Sequence, residues 1–159
     1  EQYLAKVAML KEKIPDAELT SDIIVGFPGE TEEDFEATVS LVKKVGFASA
    51  FTFVYSPRTG TKAAAMPDRV PEAVQKSRIM RLIEVVNALT REKSAKYVGK
   101  EAEILCEDFD PKRNLYFGRD EYGRMGYFPA KENMIGKFVT LKIDGANGVS
   151  LFGTMVKAR

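Results

Sequence analysis

An apolar run that stops abruptly in glycine and proline, SDIIVGFPGE from Ser21 to Glu30, narrows the choice of architecture at once. Ile23, Ile24 and Val25 follow one another without polar alternation, the pattern of a strand buried on both faces of a parallel sheet with helices on either side. Such a strand demands an α/β context, and its flanks supply one. Upstream, Tyr3, Val7, Leu10 and Ile14 repeat at helical spacing until Pro15 ends the run. Downstream, Thr31 suits an N-cap, with Glu32, Glu33 and Asp34 near the positive end of the helix dipole. Phe35, Val39 and Val42 form that helix's inward face, and Gly46 suits the left-handed position past its end.

A second β-rich run, FASAFTFVYSPR from Phe47 to Arg58, is stopped by Ser56-Pro57, so that helix, strand, helix and strand follow the rhythm of a βαβ unit. Thr59 to Val70 reads as a loop. From Pro71, Ile79, Leu82, Val86 and Leu89 mark a further helix reaching toward Lys96, long enough to carry the chain from one domain to another.

Past Tyr97 five short β-like runs alternate with turn signals at Asp110-Pro111, Tyr122-Gly123, Asp144-Gly145 and Asn147-Gly148. Val139, Leu141 and Ile143 alternate with Phe138, Thr140 and Lys142, which gives one face to a core and one to solvent. Five such strands in so short a stretch predict a small closed barrel, because closure removes exposed edges. The expected division is therefore residues 1–96, α/β, and residues 97–159, all-β.

Charge excludes a globally basic surface. Fourteen basic and fourteen acidic residues precede Tyr97, and ten basic and nine acidic follow from there on, so contact with nucleic acid has to come from a local patch. The absence of histidine removes the usual general base and zinc ligand, and the single cysteine, Cys106, rules out an internal disulfide and any multi-cysteine metal cage within the chain. Cys106 alternates with Ile104 and reads as a small buried hydrophobe. No apolar run approaches the roughly 18 residues of a membrane span, and a cytoplasmic location is expected.

Two places carry chemistry. Gly26 and Gly29 would let a ligand approach the backbone at the carboxyl end of a parallel strand, where ligands gather in α/β folds, and Tyr55, Ser56 and Arg58 project from the end of the next strand. The plain reading is a tight strand-to-helix turn with a solvated Glu30 and a surface arginine; an anion held at Gly26 to Thr31, as in an enzyme of phosphorylated metabolites, is a further one. In the second half Lys112, Arg113, Arg119, Arg124, Lys131 and Lys137 interleave with Tyr116, Phe117, Tyr122, Tyr127 and Phe128, which suits a barrel that grips RNA, although the aromatics equally suit a core.

The stretches LTSDIIVGFPGETEEDFEATVSLVKKVGF and FTFVYSPRTGTKAAAMPDRVPEAVQKSR resemble the later part of the radical S-adenosylmethionine domain of bacterial tRNA methylthiotransferases, most closely the MiaB-like branch. GRDEYGRMGYFPAKENMIGKFVTLKIDGANGVSLFGTMV resembles the TRAM domain, a small RNA-binding β-barrel. The resemblance implies a partial (β/α) barrel of the radical-SAM type followed by a five-stranded TRAM barrel. It implies methylthio transfer to an isopentenylated adenosine beside the anticodon; relatives acting on threonylcarbamoyl-adenosine or on a ribosomal protein, and a non-catalytic RNA-binding module, are the rival readings.

By the same resemblance Ile24, Gly26, Glu30, Tyr55 and Arg58 border an S-adenosylmethionine pocket; the interleaving of basic and aromatic residues makes Lys112, Arg113, Arg119, Arg124, Phe128 and Lys131 the candidate RNA contacts. tRNA is the expected partner, not DNA and not a membrane. The parent enzymes use two 4Fe-4S clusters; their Cys-x3-Cys-x2-Cys motif has no counterpart here, so the chain looks like a fragment that is inactive alone. Two parallel strands cannot close a barrel, and the open apolar side is expected to be covered by a missing N-terminal portion or by self-association.

Overall fold

A computed structural model describes all residues, 1–159, and divides them into two compact units, Glu1–Leu89 and Thr90–Arg159. In the first unit α1 (Gln2–Lys13), β1 (Thr20–Val25), α2 (Glu32–Val45) and β2 (Ser49–Val54) are followed by a 3-10 turn at Ala63–Ala65 and by α3 (Glu72–Ala95), whose last turns belong to the second unit. β1 and β2 pair in parallel from Thr20 opposite Ser49 to Val25 opposite Val54. The helix between them is fixed at both ends by its own sequence. Thr31 and Asp34 form a reciprocal capping box, and Gly46 closes the helix in the left-handed conformation, its N–H donating to Val42 O at 3.0 Å.

The core of this unit gathers Val25 with Phe35, Val39, Val42 and Val45 of α2, Phe47, and Leu82 and Val86 of α3, with Ile23 packed at its margin. Successive strand residues point to opposite faces. The helices therefore cover only the side carrying Ile23 and Val25, and the expectation of a strand buried on both faces is corrected: Ile24 is 54% exposed, and its neighbours on that face, Phe51 and Phe53, are 68% and 50% exposed. The apolar run is real, but no helix of this unit packs on its second face, which the loop carrying Thr61 and Ala63 borders. The stripe of α1 is also narrower than its spacing suggests, since Val7 alone of the four is buried, joined by Leu4, while Tyr3 and Ile14 stay exposed.

In the second unit β3 (Glu101–Asp110), β4 (Leu115–Arg119), β5 (Met125–Phe128), β6 (Phe138–Asn147) and β7 (Ser150–Ala158) close a five-stranded barrel in the order β3-β4-β5-β7-β6. All pairs are antiparallel except β5 with β7. Ile104, Cys106, Phe128, Met134, Val139, Leu141, Ile143 and Leu151 fill it, so the apolar members of the β6 alternation face the core as expected, while Thr140, expected on the solvent face with Phe138 and Lys142, is buried. Asp144-Gly145 is not a turn. Both residues lie inside β6, where the register with β7 shifts between Ile143 and Gly145, and the reversal comes later, at Gly148.

Closing so small a barrel needs glycines where strands cross the core. A Cβ on Gly118 would lie 1.8 Å from Leu105 O, whereas one on Gly145 would meet no atom within 4 Å. Gly118→Ala is expected to lower the stability of this unit by about 3 kcal/mol or more, and Gly145→Ala to change it by less than about 0.5 kcal/mol; thermal denaturation followed by circular dichroism distinguishes the two.

Candidate cofactor pocket and nucleic-acid face

β1 and β2 end at the same rim, where Tyr55 N–H extends the ladder by donating to Val25 O at 2.8 Å. Beyond Val25 the chain turns through Gly26 (φ 75°) and Gly29 (φ 82°). The turn is tied down on several sides: Glu30 N–H donates to Phe27 O at 2.9 Å, Gly29 N–H to Asp68 O at 2.9 Å, and Gln75 Nε2 to Gly26 O at 3.2 Å. Gln75 stands so close that a Cβ on Gly26 would lie 2.6 Å from its Cγ. Glycine is thus required there both for its conformation and for the space.

On the bare side of the sheet this rim borders a cavity of about 560 Å³ whose wall includes Asp22, Ile24, Phe27, Phe53, Tyr55, Ser56 and Arg58. Phe27 and Tyr55 meet edge to face at 5.1 Å. The Tyr55 hydroxyl is buried and has no hydrogen-bond partner. An unsatisfied buried hydroxyl costs free energy, so it is a group that a ligand would stabilise. Arg58 is exposed and makes no ion pair. A second cavity of about 430 Å³ lies beside the first and shares Tyr55, with Gly26, Pro28, Arg69, Glu72 and Gln75 in its wall.

The five residues expected at a cofactor therefore separate. Ile24, Tyr55 and Arg58 line one cavity, Gly26 lines the adjoining one, and Glu30 lines neither. Glu30 is corrected to a structural counter-ion: its carboxylate accepts from Gly26 N–H at 2.9 Å and from Arg78 Nη1 at 2.8 Å, and its side chain is 12% exposed. Arg78, itself buried, also donates to Glu30 O and pairs with Glu32 at 3.1 Å. Arg81 pairs with Glu32 and Glu36 and stacks over Phe35. Hydrogen bonds from Arg81 and then Arg78 hold the Glu32 carboxyl below the usual carboxylate range. This lattice ties α3 to the start of α2. Reading the sequence missed Phe27, Phe53, Gln75 and Arg78. The signal for the last two was their spacing: Gln75, Arg78 and Leu82 fall three and four apart, in line with the apolar face of α3.

The six candidate RNA contacts separate in the same way. Phe128 is fully buried in the barrel core and is withdrawn as a contact. Arg124 is withdrawn too, because it is 8% exposed, pairs with Asp120 at 2.8 Å, and is sandwiched with its guanidinium 3.5 Å from the Tyr97 ring centre and 4.6 Å from that of Tyr122. Burial, the largest influence on it, pulls its pKa down, yet hydrogen bonds to Asp120 and Tyr97 leave it raised. Arg119 is exposed but both Glu107 oxygens accept from it at 2.9 Å. Lys112, Arg113 and Lys131 are exposed on turns and loops; Arg113 lies 3.6 Å from Asp110 and 5.1 Å over the Tyr127 ring.

Cys106 does not fit an iron–sulfur ligand. It is the only cysteine, it sits in the barrel core, and burial pushes its thiol pKa up, away from the thiolate a cluster needs.

Residues 95–156 match the TRAM domain family. Curated relatives carrying the name tRNA-2-methylthio-N(6)-dimethylallyladenosine synthase match nearly the whole chain. That of Caldicellulosiruptor saccharolyticus is 45% identical over 156 residues, 98% of this chain and 33% of the relative. That of Acetivibrio thermocellus is 46% identical over 158 residues, 99% of this chain and 33% of the relative. That of Clostridium botulinum strain Langeland is 49% identical over 154 residues, 96% of this chain and 34% of the relative. The chain thus spans about a third of the length of these relatives.

Removing one partner of a buried ion pair strands the other. Arg124→Ala is expected to destabilise the barrel by about 3–5 kcal/mol because Asp120 is left without its counter-ion, while Arg119→Ala at the surface changes stability by less than about 1 kcal/mol. Urea denaturation of the two variants beside the wild type measures the difference.

Proposed function

We propose, from the premise that this chain carries a TRAM domain and is homologous over almost its full length to one third of the tRNA-2-methylthio-N(6)-dimethylallyladenosine synthases, that it is the C-terminal part of such an enzyme. In this reading residues 1–96 are the closing strands of a radical-SAM (β/α) barrel and residues 97–159 hold tRNA. The reaction is addition of a methylthio group to an isopentenylated adenosine next to the anticodon.

The observation that carries the reading is the cavity on the bare side of the sheet. An apolar wall of Ile24, Phe27 and Phe53, with the partnerless Tyr55 hydroxyl and the unpaired Arg58 guanidinium, suits an adenosyl group that also bears an α-amino acid. Ile24 and Phe53 would flank the apolar part of the nucleoside, Tyr55 would hydrogen-bond a polar edge, and Arg58 would pair with the carboxylate. S-adenosylmethionine supplies radical chemistry when bound with its clusters, and the ligands for those clusters have to come from elsewhere in the enzyme. The chain by itself is accordingly inactive. The same bare face would be covered by the rest of the barrel; when the chain is alone, self-association would shield it.

A second reading, a non-catalytic RNA-binding module, has one observation in its favour: the barrel is closed and carries its own core. Binding of S-adenosylmethionine decides between them. In a protein that restores the upstream two-thirds present in the relatives, Arg58→Ala is expected to weaken S-adenosylmethionine binding about tenfold or more, the loss of one charge-assisted hydrogen bond, and Tyr55→Phe severalfold, as read by equilibrium dialysis. Unchanged affinity in both variants would sink the pocket assignment.

A further inference from the structure

Register places three outward-facing aromatic rings side by side across the barrel: Phe117 of β4 opposite Tyr127 of β5, and Tyr127 opposite Phe152 of β7. Their alternation with Gly118, Gly126, Phe128 and Leu151, which face inward, fixes this direction. Phe117 and Tyr127 have ring centres 5.8 Å apart at 35°, and Tyr127 and Phe152 are stacked 5.3 Å apart at 17°. The rings thus form a ladder with one rung per strand, close to the 4.7–4.9 Å separation of strands. The guanidinium of Arg113 lies 5.1 Å over Tyr127, and Lys112 is exposed beside it in the chain.

The ladder is interrupted where the next rung belongs. The residue of β6 opposite Phe152 is Gly145, and the space where its Cβ would stand is empty to 4 Å. Paired residues of an antiparallel ladder face the same side, so a side chain there would abut Phe152. Aromatic pairs of this kind also stabilise a sheet without any ligand. That account explains Phe117, Tyr127 and Phe152, and the register shift between Ile143 and Gly145 accounts for a glycine in β6; the same glycine leaves open space beside the Phe152 ring, at the end of the ladder. The carboxylates nearest in the chain are engaged: Asp144 accepts from Thr154 Oγ1 at 2.8 Å, Asp108 from Phe109 N–H at 2.8 Å, and Asp110 from the Lys112 and Arg113 amides.

We infer that the position over Gly145 is a stacking slot for one unpaired nucleobase of RNA, which continues the ladder against Phe152 while Arg113 and Lys112 serve the adjoining phosphates. This rests on the proposed RNA-binding role of the barrel and adds to it the face and the kind of nucleotide recognised. Stacking accepts any base, since every base has a π face, but only one freed from pairing. A barrel whose ten basic and nine acidic residues nearly cancel can in this way hold RNA by ring contact where it lacks a strong positive field.

The test uses the full chain with tRNA and with a ribonucleotide decamer carrying one 2-aminopurine, offered single-stranded or as a duplex. The wild type is expected to bind the single strand more tightly than the duplex and to quench the 2-aminopurine fluorescence on stacking. Gly145→Val fills the slot and Phe152→Leu removes its aromatic wall while keeping apolar bulk. Each is expected to weaken single-strand binding about fivefold or more, within the range that one stacked base commands, and to abolish the quenching, with duplex binding unchanged and cooperative thermal unfolding retained above the assay temperature. If tRNA and the single strand bind the wild type and both variants alike, with equal quenching, the slot is wrong while RNA binding stands. If the wild type binds neither RNA, the RNA-binding role and the slot fall together.

Discussion

One-sided coverage of a two-stranded parallel sheet governs the first unit. Val25 and Ile23 turn toward α2 and α3 and join a core, which leaves Ile24, Phe51 and Phe53 on a face with no cover. Each large apolar side chain left in water forgoes roughly 1.5–3 kcal/mol of burial, so three on one face form a surface that a globular protein rarely keeps open without a use. The cavity, the idle hydroxyl of Tyr55 and the unpaired Arg58 all lie at the rim of that same face.

The charged residues divide by the same logic of enclosure. Arg78 and Arg124 are buried and paired with Glu30, Glu32 and Asp120, which makes them parts of the fold and not of a ligand surface. Arg58, Lys112 and Lys131 remain in solvent. A buried arginine is recognisable only when its counter-ion is known to lie against it, and Glu30 and Arg78 are 48 residues apart. The sequence presents both as ordinary surface charges.

What could be read in advance follows from how local each determinant is. The N-cap Thr31, the closing Gly46 and the core-facing Val139, Leu141 and Ile143 of β6 are encoded within a few residues, and the structure has them where the pattern put them. The open face was not legible as such, because an unbroken apolar run looks the same whether its second side meets a helix of this chain or a surface outside it. Phe152 and Gly145 were invisible for a similar reason: neither stands in a basic and aromatic cluster, and only the pairing of β6 with β7 brings them together. Phe128 and Arg124 stood in such a cluster, and the barrel turned them inward.

The exposure of that sheet face is the quantity on which the account turns. Hydroxyl-radical footprinting of Phe51, Phe53 and Phe35, in this chain and in a protein carrying the additional two-thirds seen in its relatives, measures it directly. The account predicts strong labelling of Phe51 and Phe53 in the chain alone, protection of both in the longer protein, and protection of Phe35 in each. Equal labelling of Phe51 and Phe53 in the two proteins would contradict it.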